Sequence, residues 1–328
     1  MSLFRVDTLI KELRKTKGFT QDQLCEGICA KDSLSRIERG LRRPDWYTFE
    51  LLMQRLGEDP RKYYSDIITM SEMRVINIKH RLSTLMRDDS ESGKSEAEQL
   101  ILELKQDKDF QKGRGKQFLL MTDAAISHQN ENYERMYYFA TKAMKISRPH
   151  FDEDKINTYI LTNDEVMLIN QIAIAQCQLA SFEQGTQIFL KLKESLDNNY
   201  INDEEKQKKY IGLLYNISKN LGMLKEYEQC IPICDSGIEL CKRQFNAYHY
   251  PLFLFNKACC ILALGKTEES ISLLLLEKAY TLLVFYGRFT EKSFIENYVK
   301  DEFGVAAANF RSNDHEEDQM QLPGRAPA

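Results

Sequence analysis

The chain has 328 residues and a formal net charge of −4 at pH 7, long enough for two domains of about 100–200 residues each. Apolar residues make up 43% and charged residues 29%, a balance that supports a sizeable core and excludes collagen-like, disordered and secreted disulfide-scaffold classes. Only 15 Gly and 7 Pro punctuate the chain, which favours an all-α fold.

Charge is unevenly spread. Met1 to Asp66 carries 13 Lys+Arg against 11 Asp+Glu, and the remainder 32 against 38. A mildly basic head on an acidic body points nucleic acid at the head. The first residues lack the apolar stretch of a signal peptide, and no apolar run approaches the ~20 residues of a membrane helix. Eight cysteines without framework spacing read as reduced thiols in a cytoplasmic protein.

Short helices fill the head, residues 1–68. Val6, Ile10 and Leu13 share one face of a first helix that ends at Gly18. Thr20 caps a second, with Gln23 three residues on as in a capping box, and Leu24, Cys25 and Ile28 inward. A third runs from about Lys31 to Arg39 and stops at Gly40. Pro44 and Asp45 start a fourth, with Phe49, Leu52, Met53 and Leu56 inward. Pro60 opens a fifth through Tyr63, Tyr64 and Ile67. Residues 70–88 read as a connecting helix and Asp88 to Ser95 as a polar linker, so that 69–95 joins head to body.

If Leu34 and Ile37 of the third helix face the core, Asp32, Ser35, Arg36 and Arg39 face outward at 100° per residue. A helix fits the major groove, where its N-terminal residues reach base edges. Lys31, Asp32, Ser33 and Arg36 are therefore the candidate base contacts. Arg36 and Lys31 can donate to guanine, whereas Asp32 either accepts from cytosine or simply complements the helix dipole. Thr20, Gln21, Arg39, Arg42 and Arg43 are the candidate phosphate contacts. Cys25 and Cys29, at i and i+4, read as small apolar packing residues; metal binding is the alternative.

The body, 96–311, repeats itself. Second helices start on an aromatic at Tyr133, Phe182 and Tyr227, and Thr267 takes that place in a fourth unit. The intervals of 49, 45 and 40 residues exceed the 34 of an ideal tetratricopeptide repeat, so the repeats are degenerate. Asn216 and Asn256 occupy equivalent places in two first helices. Residues 290–303 close the array, and 312–328 read as a disordered tail or an expression remnant. In a curved solenoid the first helices line the concave side. On that register Asn170, Gln171, Tyr215, Asn216, Lys219, Phe255 and Asn256 point inward as candidate peptide contacts. An asparagine offers donor and acceptor and can clamp a peptide backbone; alternatively Asn216 and Asn256 only satisfy neighbouring helices.

The segment FTQDQLCEGICAKDSLSRIERGLRRPDWYTFELLMQRLG resembles the Xre/Cro-type helix-turn-helix family over roughly residues 5–66. Its marks are Thr20-Gln21, the run Leu34 to Gly40, and Pro44; Ile28 stands in the turn where the family often has Gly. The resemblance implies an Arg14–Glu38 ion pair bracing the first helix against the third. Head and body together resemble the cytoplasmic peptide-pheromone regulators of the Rap–Rgg–NprR–PlcR–PrgX group. That implies an all-α architecture, a five-helix Xre-type head followed by a tetratricopeptide-like solenoid. It also implies a homodimer through the body, binding of double-stranded promoter DNA, and switching by a short signalling peptide. The alternative is a DNA-binding regulator whose repeats only dimerise, or bind and sequester a protein partner.

No phosphate-binding Gly-rich loop, HExxH or GxSxG occurs. The five histidines are scattered and lack metal-ligand spacing. Neither enzyme activity nor a cofactor nor a metal is expected. Cys230/Cys234 and Cys259/Cys260 read as core packing.

Overall fold

A computed structural model describes residues 6–63, 70–85, 91–198, 204–265 and 269–303. Among these residues every regular element is helical. The head holds α1 (Val6–Thr16), α2 (Gln21–Cys25), α3 (Lys31–Glu38) and α4 (Trp46–Arg55), then a single 3-10 turn, Pro60–Tyr63. Next come α5 (Met70–Leu85), α6 (Glu91–Gln106), α7 (Gly113–Gln129), α8 (Tyr133–Ser147), α9 (Asn163–Leu179) and α10 (Phe182–Asn198). The last five are α11 (Glu204–Met223), α12 (Tyr227–Arg243), α13 (Tyr250–Ala263), α14 (Glu269–Phe285) and α15 (Phe289–Phe303). The chain divides into two compact units, Met1–Leu213 and Leu214–Ala328.

The repeat reading holds at the level of single residues. Second helices begin at Tyr133, Phe182 and Tyr227, and the closing helix is α15. In three of the units the two helices pack as neighbours, α7 with α8, α9 with α10 and α13 with α14. Thr162 starts α9 through a capping box with Glu165, which satisfies two backbone donors at the helix start. Buried Gly237 of α12 lies flush on the Phe253 ring of α13, where a Cβ would come within 2.4 Å.

One expectation fails. The polar run through Ser95 reads as loop, but α6 already begins at Glu91. Gly93 and Ala97 are buried, so packing of one helix face overrides the turn-like composition. The fifth head helix beyond Tyr63, Asp88 to Ser90, the Thr267 start and the tail 312–328 lie outside the described residues.

The head core gathers Ile10, Leu24, Cys25, Leu34, Ile37, Trp46, Phe49, Leu52, Met53 and Leu56. Each large aliphatic or aromatic side chain there contributes about 1.5–3 kcal/mol of burial. In the second unit Leu254, Ala258, Leu276, Ala279, Leu283, Ile295 and Val299 knit α13, α14 and α15 together.

Candidate nucleic-acid interface

The helix α3 is held from behind and open in front. Leu34 and Ile37 are buried in the head core, whereas Lys31, Asp32, Arg36 and Arg39 are exposed and Ser33 half-buried. At its rear, Glu38 is buried and takes a two-pronged contact from Arg14, Nε to Oε1 at 2.6 Å and Nη2 to Oε2 at 2.9 Å. The remaining guanidinium nitrogen, Nη1, donates to the Phe19 carbonyl at 2.9 Å. The ion pair implied by the resemblance is therefore present. Burial works to raise the Glu38 carboxyl, but the hydrogen bonds from Arg14 and Gln21 outweigh it and hold it low.

Several predicted contacts already have work inside the head. The Gln21 amide donates to Glu38 Oε2 at 2.8 Å, so this side chain braces α2 against α3. The Thr20 hydroxyl accepts from the Gln23 amide at 3.1 Å and serves the helix start. Lys31 Nζ pairs with Asp22 Oδ2 at 2.6 Å on the surface, and that hydrogen bond raises its pKa. Both partners are more than half exposed, so the pair is weak and exchangeable. Arg42 Nη1 donates to Ser33 Oγ at 3.3 Å, and Arg39 Nε to the Ser35 carbonyl at 3.3 Å. Arg36 is exposed and makes no side-chain hydrogen bond or ion pair among the described residues. The Arg43 side chain is exposed too.

The turn between α2 and α3 obtains its left-handed residue from Gly27, at φ +68°, one place before Ile28. Glycine takes that conformation without a Cβ penalty. Ile28 and Cys29 are half-buried and Cys25 buried against the head core. Burial raises the Cys25 thiol and pushes Cys29 up to about 11. Both thiols stay protonated, and no metal-holding cluster occurs among the described residues.

Residues 8–62 match the family described as a helix-turn-helix domain. The head is a helix-turn-helix domain. Among solved structures, the chain is similar to PlcR of Bacillus thuringiensis in complex with the peptide PapR7 and DNA, at 21% identity and a TM-score of 0.57, over 89% of this chain and 99% of that one. It is similar to apo ComR of S. thermophilus at 15% identity and 0.52, over 91% and 99%. Apo ComR of Streptococcus vestibularis gives 13% and 0.50, over 91% and 98%. The chain thus has the fold of these proteins along nearly its whole length, in line with the resemblance read from the sequence. No curated protein sequence matches it significantly.

The predicted peptide contacts fall in both units. In the first, Asn170 is half-buried, while Gln171 is buried and its Nε2 donates to the Met121 carbonyl at 3.3 Å. Gln171 thus packs between α9 and α7 and does not line an open face. In the second, Asn256 Nδ2 donates to Ser218 Oγ at 2.9 Å, tying α13 to α11. Tyr215 stacks near His249 and edge-on to Phe253, with centroids at 5.6 and 6.2 Å. Phe255 meets Tyr298 edge-on at 5.5 Å. Asn216 is half-buried and Lys219 exposed. Among the described residues no helix is long and apolar enough to cross a membrane.

Proposed function

We propose that the chain is a transcription regulator that binds promoter DNA as a homodimer and is switched by a short signalling peptide held by its repeats. The observation that carries this reading is the front of α3. Asp32 and Arg36 stand exposed there, on a helix whose rear is pinned by Arg14, Gln21 and Glu38, and Arg39, Arg42 and Arg43 stand exposed just beyond its end. A rigid helix with exposed cationic side chains suits base reading in a major groove, with flanking arginines on phosphates. PlcR, solved with both a peptide and DNA, supports both ligands. A dimer is supported by the exposed apolar side chains of the last two helices, Phe285, Phe289 and Phe294 among them. Lys31, Asp32, Ser33 and Arg36 are proposed to face bases, and Arg39, Arg42 and Arg43 phosphates. Thr20 and Gln21 would meet a phosphate only beside their structural duties.

The test is DNA binding by the full chain to the region upstream of its own gene, with and without candidate peptides. Arg36→Ala should cost about 1–3 kcal/mol and relax preference at one base position. An unchanged sequence profile would remove Arg36 from the readers. A peptide-dependent shift lost in Asn216→Asp would support the switch.

A second reading has its own observation. Asn256 and Gln171 spend their amides on neighbouring helices, which suits repeats built for assembly or for a protein partner. DNA binding indifferent to every peptide tried would favour it.

A further inference from the structure

The head is fastened to the repeats at its back, through whole charges taken out of water. Arg55, at the end of α4, has a side chain 0% exposed. Its Nη1 donates to the carbonyls of Leu24 at 3.1 Å and Gln23 at 3.4 Å, and to that of Glu26. It thereby satisfies the open C-terminal carbonyls of α2. Its Nη2 lies 3.6 Å from Oε2 of Glu165, which is also 0% exposed. Glu165 Oε1 accepts from Arg148 Nε at 3.1 Å, and Oε2 from the Thr162 amide at 2.9 Å. Arg148 reaches back to the head, with Nη1 2.9 Å from Glu26 Oε1, while its Nη2 donates to the Ile160 carbonyl at 2.7 Å. Arg114 of α7 donates to the Gly27 carbonyl. Gly27 itself lies so close that a Cβ would stand 2.3 Å from the Ser147 carbonyl oxygen.

We propose that Glu165 is a positioning residue that sets the direction of the reading helix by clamping the α2–α3 turn onto α7, α8 and α9. This rests on the DNA-binding reading above. Three features of the clamp point to orientation. It grips Glu26 and Gly27, a few residues before α3 begins, so a small rotation there swings the whole helix. Its centre, Arg55, Arg148 and Glu165, is buried and charged, so an arrangement that strands either arginine is costly. It leaves Asp32, Arg36 and Arg39 exposed, so it does not compete with DNA for the reading face. Burial works to raise the Glu165 carboxyl, yet the arginines outweigh it and hold it ionised. A dimer that reads two half-sites about one helical turn, or a multiple of it, apart needs heads of fixed direction. Movement of α9 would reach the reading helix through this carboxylate and the two arginines it holds.

Hydrogen exchange on the full chain tests the clamp without DNA. In Glu165→Gln, segments 23–29 and 147–165 should exchange at least tenfold faster, while α3 keeps its wild-type rate. Faster exchange throughout the head would make Glu165 a support of head folding and overturn the proposal, as would no change anywhere. Glu26→Gln touches only the exposed arm and leaves the α9 cap intact. It should speed 147–165 about threefold, and it decides the matter if Glu165→Gln does not fold; wild-type exchange there would overturn the clamp. A duplex enriched by the wild-type chain from a random pool then tests the consequence. Glu165→Gln should bind it at least tenfold more weakly, yet bind a duplex with one half-site scrambled within twofold of wild type. Equal losses on both would overturn the positioning role. If the wild-type chain enriches no duplex, the DNA-binding reading fails while the exchange result still judges the clamp.

Discussion

In the first unit the interior holds full charges: Arg55, Arg148 and Glu165 are buried together, and Glu50 and Lys79 lie half-buried, each feeling the charge of Asp164. In the second unit the buried polar side chains, among the described residues, are Ser218, Asn220 and Ser272, together with thiols. Neutral groups tolerate small shifts, because a hydroxyl or thiol can rotate to find another acceptor. Buried charges do not, since an unpaired one costs several kcal/mol. The first unit is therefore built for fixed geometry and the second for packing.

The largest effect that would break this contrast is in the clamp. Glu165→Gln strands two buried arginines and should cost about 3–5 kcal/mol in the local opening of segments 23–29 and 147–165, read by hydrogen exchange. A loss under about 1 kcal/mol, typical of an exposed pair, would mean that water reaches the cluster. Next comes pH. Burial pushes the Glu50 carboxyl from 4.5 up to about 7, with Asp164 adding to it and Lys79 and Lys209 opposing. A raised value means that the protonated form suits the fold. Its stabilisation is present below pH 4.5 and lost as pH rises through 7, on the order of 3 kcal/mol in all. Glu50→Gln should flatten that decline in a pH series of thermal melts.

The second unit should drift the other way. Burial, and then Arg288, lower the His249 imidazole from 6.5 to about 4. The neutral ring suits the fold, so its stabilisation is present above pH 6.5 and lost as pH falls towards 4. Between pH 4.5 and 6.5 the two units should thus change stability in opposite senses. Exchange rates in Trp46–Arg55 and Tyr250–Ala263 would show it, and parallel drifts would refute it. The smallest effect is Ser218→Ala. It removes the acceptor of the Asn256 amide and should cost about 1 kcal/mol, read as a shift in denaturant midpoint.

Local order was legible in the sequence because its signals are local. Tyr133, Phe182 and Tyr227 mark helix starts by composition and spacing alone, and the Thr20–Gln23 box is visible within four residues. Leu34 and Ile37 reveal which side of α3 faces outward. The turn-like run before Ser95 misleads, because its helix is decided by what Gly93 and Ala97 pack against. The roles of Gln21 and Gln171 were out of reach for a related reason: an amide looks the same in sequence whether it meets a ligand or a neighbouring helix. The clamp was the least readable. Thr162 and Glu165 have capping-box spacing, but Arg55 lies over a hundred residues away, and only the fold brings the two together.

The thiols have a practical consequence. Six of the eight cysteines are buried and two half-buried. Burial pushes Cys241 and Cys259 up to about 12, and the contact with Cys234 pushes Cys230 to about 12 as well. Only the thiolate attacks an alkylating reagent, so labelling must wait for local opening. Cys25 and Cys29 time the head, Cys177 times the helix that carries Glu165, and the other five time the second unit. Without any introduced probe, the native chain carries a set of chemical clocks, one for each region whose motion the proposed switch would require.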